Sequence, residues 1–574
     1  MRRFFLFLAF VSLVAGSGYL LTRHLEPEVA LTDYVPADSL AVLDWHDPAG
    51  ALDAFRTTRV GRCLEGIDWV GVMRKIGMPG ERIDRIRRQF EPVRAFVGSP
   101  LFAELFGDRV VAALLPHGQG EAAAGGLAGL QEDLVLLARP RHGAAAAALV
   151  RTLLRANRAS RAGAYQGTEV YRLHSGLYPG PLYLAVRDDL LVFAPAMAPI
   201  RRCLDLVLAR MVHAGTGMGN NRIYQRLKKR ARGLDDVFLY LDVAAVKSIL
   251  AGHGRAARPA MEAADATMLH ATGQGVQTAV FFHQPFNDVQ QFTSIVEFDS
   301  GRLAPFQATI YSRPPEENRR ITGMPANLLV YFWTNWLDLP DWWHSTLSRS
   351  RGRERETARR FAAWVEQVTG RDMDSALAMF GQKFGFNVVE IITSGFFPVP
   401  RICLCVEMAE PAAIRSILDR LLKGVPIRRE VIRGVPVVSI MAAGGLMQPS
   451  YALLDHYLVL ADGRDQIEAI LRPSGRMLLD DPDFRKVDMG LLQPNNLVVF
   501  ARTGALVDGM KELASWLGTI VAIRDEESAA ASKVIIDQVI EPLLESMKMF
   551  RAMGVRSYTG RDELVLRSTV LVER

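Results

Sequence analysis

Apolar residues fall in short runs along most of the chain, and turn-forming residues close most of them. Ser39 to Trp45 predicts a strand, and a mixed, largely helical stretch follows to Leu105. Arg109 to Leu115 and Asp133 to Arg139 predict strands on either side of a Gly- and Ala-rich loop, Gly118 to Gly129. Gly143 to Asn157 places Ala and Leu at helical spacing. Three runs, 169–174, 182–186 and 190–194, then predict a meander whose last turn is Arg187-Asp188-Asp189. Helices are expected over Pro199 to Val212 and around Tyr224 to Ala231, and a strand over Val237 to Asp242. The second half follows the same plan and ends with a helix from Glu526 to Met553 and a hairpin reaching Leu571. Short turns between neighbouring strands favour antiparallel pairing. A sheet with an apolar face needs helices to cover it. The expected class is α+β: two tandem related units, each a curved antiparallel sheet with helices packed on one face.

The two halves share landmarks in the same order. Pro36-Ala37-Asp38-Ser39-Leu40 recurs as Pro325-Ala326-Asn327-Leu328-Leu329, each before a strand that ends near Trp45 or Trp333. Phe106-Gly107 recurs as Phe384-Gly385, and Gln166-Gly167 as Arg433-Gly434. Val192 and Val459 each lie 25 residues after the latter glycines, in hairpins that begin at Tyr183 and Tyr451. Val237-Phe238-Leu239-Tyr240 pairs with Leu497-Val498-Val499-Phe500, Gly275-Val276 with Gly554-Val555, and Ser294 with Ser568. All partners lie 260 to 289 residues apart, as a duplication requires. Ser312-Arg313-Pro314-Pro315 reads as the linker, which gives units 26–312 and 313–574 after an N-terminal segment 1–25.

That segment opens with Arg2 and Arg3, then runs from Phe4 to Leu21 without a charge. Eighteen residues make a helix of about 27 Å, against a bilayer core of about 30 Å. The length favours an uncleaved transmembrane helix over a cleaved signal, although Ala15-Gly16-Ser17 would suit cleavage. The arginines orient it with the remaining chain exported. In a Gram-negative cell this means residues 4–21 in the inner membrane and the bulk in the periplasm.

The chain is 49% apolar and 23% charged, an ordinary globular balance, and its net charge of +6 is small for 574 residues. No nucleic-acid partner is expected. Four cysteines exclude a disulfide scaffold, and Cys403-x-Cys405 lacks the spacing of the common metal and redox motifs. Its counterpart, Leu134 to Leu137, is apolar, so buried thiols are expected. The eleven histidines do not cluster, and no three or four ligands gather for zinc. Gly215-Thr216-Gly217-Met218-Gly219 has no preceding strand and reads as a surface loop, while Asp188-Asp189 and Asp480-Asp481 read as turn chemistry. No cofactor and no catalytic residue is expected.

Trp333, Trp336, Trp342 and Trp343 are half of all the tryptophans. They suit either a core layer or an aromatic surface facing a ligand or the membrane. Arg349, Arg351, Arg353, Arg355, Arg359 and Arg360 suit a solvated helix start or anionic headgroups. The opening Val35-Pro36-Ala37-Asp38-Ser39-Leu40-Ala41-Val42, the hairpin with Leu458-Val459-Leu460-Ala461, and Asp480-Asp481-Pro482-Asp483-Phe484 resemble an uncharacterised bacterial family of exported, membrane-anchored proteins with a domain of unknown function. The resemblance implies no activity. The expected function is binding or scaffolding of envelope components; the alternative is a carrier of lipid or another amphiphile in an apolar groove.

Overall fold

The computed structural model describes residues 29–116, 132–174, 180–211, 217–252, 274–392, 399–442, 448–472, 475–524 and 526–573. The anchor expected at residues 4–21 lies outside them. Among the described residues no helix is long and apolar enough to cross a membrane.

Helices and antiparallel strands together form an α+β fold. The first ten strands are β1 (Ala41–His46), β2 (Arg109–Leu114), β3 (Leu134–Arg139), β4 (Ala159–Tyr165), β5 (Thr168–Leu173), β6 (Leu182–Arg187), β7 (Leu190–Ala194), β8 (Val237–Asp242), β9 (Val276–Phe286) and β10 (Val289–Phe298). The next five are β11 (Val330–Thr334), β12 (Phe380–Ile392), β13 (Val399–Met408), β14 (Ile427–Ile432) and β15 (Val435–Ile440). The last five are β16 (Ser450–Leu454), β17 (Tyr457–Ala461), β18 (Leu497–Ala501), β19 (Phe550–Thr559) and β20 (Glu563–Val572). Hydrogen-bonded neighbours in the first half run β4-β5-β6-β7-β3-β2-β1-β8-β9-β10. The second half runs β14-β15-β16-β17-β13-β12-β11-β18-β19-β20, the same order ten strands on.

The expectation of a separate sheet in each half gives way to one continuous sheet. β10 pairs with β20 from Val289↔Leu571 to Glu297↔Glu563. Arg59 also reaches Glu573 across the halves at 3.2 Å, and the helix Glu541–Met547 packs on the helix Arg59–Gly66.

Helices on one face is also corrected: each wing is covered on both. Val170, Ala185 and Val192 face a core shared with Ile200 and Leu204 of the helix Met197–Met211. Their neighbours Tyr171, Leu184 and Leu191 face Leu149 and Val150 of the helix Gly143–Arg155. The second wing alternates alike, with Val437, Ala452 and Val459 beside Ile467, and Val438, Tyr451 and Leu458 beside Ile414 and Val365. Strands buried on both faces need apolar side chains at consecutive positions, which is why β7 and β17 read as unbroken runs.

Matching turns set the register of both meanders. Gln166-Gly167 and Arg433-Gly434 each hold two positive φ angles, 47° and 81° in the first and 52° and 81° in the second. Such two-residue turns match the twist of the strands they join, and glycine takes the second position without strain. Two elements differ from expectation. β4 has no counterpart among the expected strands, and the last helix stops at Met547 because Met553 belongs to β19.

Candidate functional site

The register identifies which residue of one half occupies each place in the other. Val42 lies between Ala113 and Tyr240, and Tyr331 between Asn387 and Phe500. Met218 N–H donates to Val35 at 2.6 Å, and Leu478 N–H to Met324 at 2.9 Å, so the turns Leu31–Tyr34 and Arg319–Gly323 enter their halves alike. On the face that carries Val42, part of the first half is dry. Leu31, Val42, Val111, Ala113, Val135, Leu137 and Leu190 are all 4% exposed or less and share one apolar core.

The same places in the second half hold Arg320, Tyr331, Gly385, Asn387, Cys403, Cys405 and Tyr457, and Gly323 stands where the first half has Tyr34. With Gly323 and Gly385 in place of the Tyr34 ring and the Val111 side chain, the second half has a cavity of about 280 Å³, lined by Arg320, Tyr331, Asn387, Cys405 and Tyr457. Asn318 secures its rim: its side-chain oxygen accepts from Arg320 N–H at 3.2 Å and from the Tyr331 hydroxyl at 2.9 Å. The Arg320 guanidinium lies 3.6 Å from the centre of the Tyr457 ring, and Cys405 lines the same cavity. Stacking occupies the face of the guanidinium and leaves N–H groups on its edge. Lys383, also at the cavity, is paired with Glu316 at 2.9 Å and Glu407 at 3.4 Å.

Cys403 is sealed and Cys405 half-buried, as free thiols. The hydrogen bond from Cys403 lowers the pKa of Cys405; burial opposes it, and Arg320 reinforces it, which leaves this thiol below the usual range. Cys403 moves up, through the same bond and through burial.

A polar group interrupts the same face of the first half two residues along β1 from Val42. Asp44 takes the inward place that Trp333 holds in β11, and its side chain is fully buried. Arg109 grips it with two hydrogen bonds of 2.7 and 2.6 Å. Lys228 bridges Asp44 at 3.0 Å and Asp235 at 2.5 Å. Burial alone would raise the Asp44 carboxyl; the bonds and charges of Arg109 and Lys228 outweigh it and hold the carboxyl below its ordinary value. Two carboxylates and two cations cancel, so this is a closed ionic network rather than an acid–base pair aimed at a substrate.

The four tryptophans do not form one surface. Trp333 is in the core with Val498 and Phe500, and Trp343 is in another with Val365 and Met373. Trp336 is half-buried near Tyr311, and Trp342 is exposed. The six arginines from Arg349 to Arg360 are exposed around the start of the helix Gly352–Thr369, whose Phe361 and Trp364 stack at 5.7 Å on its outer side. Asp189 pairs with Arg139 at 3.1 Å from the β6–β7 turn. Asp481 does more than turn the chain. It caps the helix Pro482–Val487, accepting from Asp483 and Phe484 N–H at 3.0 Å, and binds Arg502 at 2.8 Å. Gly217 is a close-approach glycine, since a Cβ there would sit 2.0 Å from the Asp33 carbonyl oxygen; Gly215 and Thr216 lie outside the described residues. Among the described residues no three acidic, histidine or cysteine side chains are placed to share a metal ion.

Sequence reasoning missed Arg320, Lys383 and Tyr457. The signal was available: the Pro36/Pro325 match sets Arg320 against the apolar Leu31.

No protein-family model and no curated protein matches the chain. Among solved structures it is similar to crystal form III of TP0453, with 9% identity and a TM-score of 0.26 over 51% of this chain and 90% of that one. Crystal form I of TP0453 gives 11%, 0.26, 50% and 86%. At that TM-score the likeness carries no argument about fold or function.

Proposed function

We propose that this protein is a tandem duplication, 26–312 and 313–574, held to the inner membrane by residues 4–21 with its bulk in the periplasm, and that it binds a small molecule in its second copy. The observation that carries the binding role is the cavity beside Arg320, at a place where the first copy is filled by Leu31, Tyr34 and Val111. The shared strand order and turn geometry support the duplication. The first copy then has a structural role, with its polar group locked in the Asp44 network. A volume of about 280 Å³ falls just below the usual range of small-molecule sites, about 300–1,000 Å³. It suits a compact ligand better than a two-chain lipid.

Native mass spectrometry of the full chain extracted from its own membrane tests this. The expected result is an adduct of a few hundred daltons that denaturation releases. A bare protein mass, with no change in maleimide labelling of Cys405 when host metabolite extract is added, overturns it.

A further inference from the structure

Resting on that binding role, we infer that the ligand is a small anion, a carboxylate or a phosphate monoester, on an apolar or aromatic body, with Arg320 as its anion contact. Three cations line the cavity, Arg319, Arg320 and Lys383, and no aspartate or glutamate does. Lys383 is neutralised by Glu316 and Glu407, and Arg319 lies 3.6 Å from Glu317. Arg320 has no carboxylate within ion-pair distance among the described residues, although its side chain is half-buried. A cation withdrawn from water without a counter-charge is unfavourable, and the site relieves this once an anion enters.

The geometry suits arginine rather than lysine. Tyr457 holds the guanidinium flat, and its remaining edge donors form the planar fork that matches a carboxylate or phosphate. The Tyr331 and Tyr457 rings with Leu454 and Ile470 give the ligand body an apolar wall. Cys405 lines the same cavity as Arg320, where a bound ligand would shield its sulfur.

That shielding supplies the test. Cys203 and Cys403 are buried, so a Cys63→Ser variant of the full chain in detergent leaves Cys405 as the accessible thiol. N-ethylmaleimide, which is uncharged, labels it, and the labelling rate is measured with octanoate, phenyl phosphate, octanol or octylamine present. At least one anion is expected to slow labelling about tenfold, and which one does so separates a carboxylate from a phosphate ligand; octanol and octylamine leave the rate unchanged. Arg320→Leu should abolish the protection, and Arg320→Lys should keep part of it. Equal protection by octanol and octanoate in the wild type overturns the anion assignment and leaves the binding role standing. Failure of all four probes to protect Cys405 overturns the anion assignment; the binding role then rests on the metabolite-extract experiment alone.

Discussion

The two halves place the same strands in the same order, yet they break their apolar faces at different places. In the first, Asp44 is buried in a closed network with Arg109, Lys228 and Asp235, and the positions around Val42 are dry. In the second, Trp333 fills the place of Asp44, and polarity moves to Arg320, Asn387 and Cys405 around an open volume. A buried charge that is fully paired closes a site. A half-buried charge facing a cavity leaves one open.

The sharpest way to break the contrast is to exchange the residues at one position. Leu31→Arg puts an unpaired cation into a sealed core, and its expected cost is about 5 kcal/mol or more, read as loss of cooperative unfolding in urea. Next is Asp44→Ala, which strands Arg109, leaves Lys228 with Asp235 alone, and should cost about 3–5 kcal/mol. The same network predicts a pH response. The folded Asp44 carboxyl lies below its ordinary value of 3.8, so its contribution is complete above that value and fades as pH falls through the folded one. Acid unfolding of Asp44→Ala should therefore lack the steepening that wild type shows below about pH 4.

Gly167→Ala and Gly434→Ala test whether the halves share local geometry as closely as register. Both glycines sit at φ of 81°, and a Cβ added at either would meet open space. Each change should therefore cost about 1–2 kcal/mol through backbone strain alone, and the two costs should agree. The smallest effect belongs to Arg320→Leu combined with Gly323→Tyr, which rebuilds the first half's residues in the second. A Cβ at Gly323 meets open space. Stability should change by about 1 kcal/mol or less in thermal or urea unfolding, while the protection of Cys405 by an anion disappears.

Much of the fold was legible because turns and strand runs are local. The Gln166-Gly167 and Arg433-Gly434 turns, the Val192 and Val459 pair and the Ser294 and Ser568 pair all fall at equivalent places in the register. Other word matches slipped. The counterpart of Tyr451 is Leu184, not Tyr183, and that of Phe384 is Val110, not Phe106. In the wings both faces are buried, so consecutive positions are apolar and alternation no longer marks a face. β4 was hidden for the opposite reason, since its exposed Ser160, Arg161 and Ala162 give no apolar run. The site was less legible than the fold. The tryptophans drew the eye as a sequence cluster, but the rotation of about 100° between successive helical residues is enough to send Trp342 to solvent and Trp343 to the core. Arg320, Cys405 and Tyr457 are far apart in sequence and meet only through the sheet.

Along the seam between β10 and β20, Thr293 lies opposite Arg567, and those two residues hold equivalent places in their halves. A contact in which a position meets its own counterpart is isologous, the kind that joins two identical subunits about a two-fold axis. The single chain thus has the layout of a homodimer. Covalent linkage lets two such halves differ in sequence, one with a solid core and the other with a cavity, as two copies of one sequence could not.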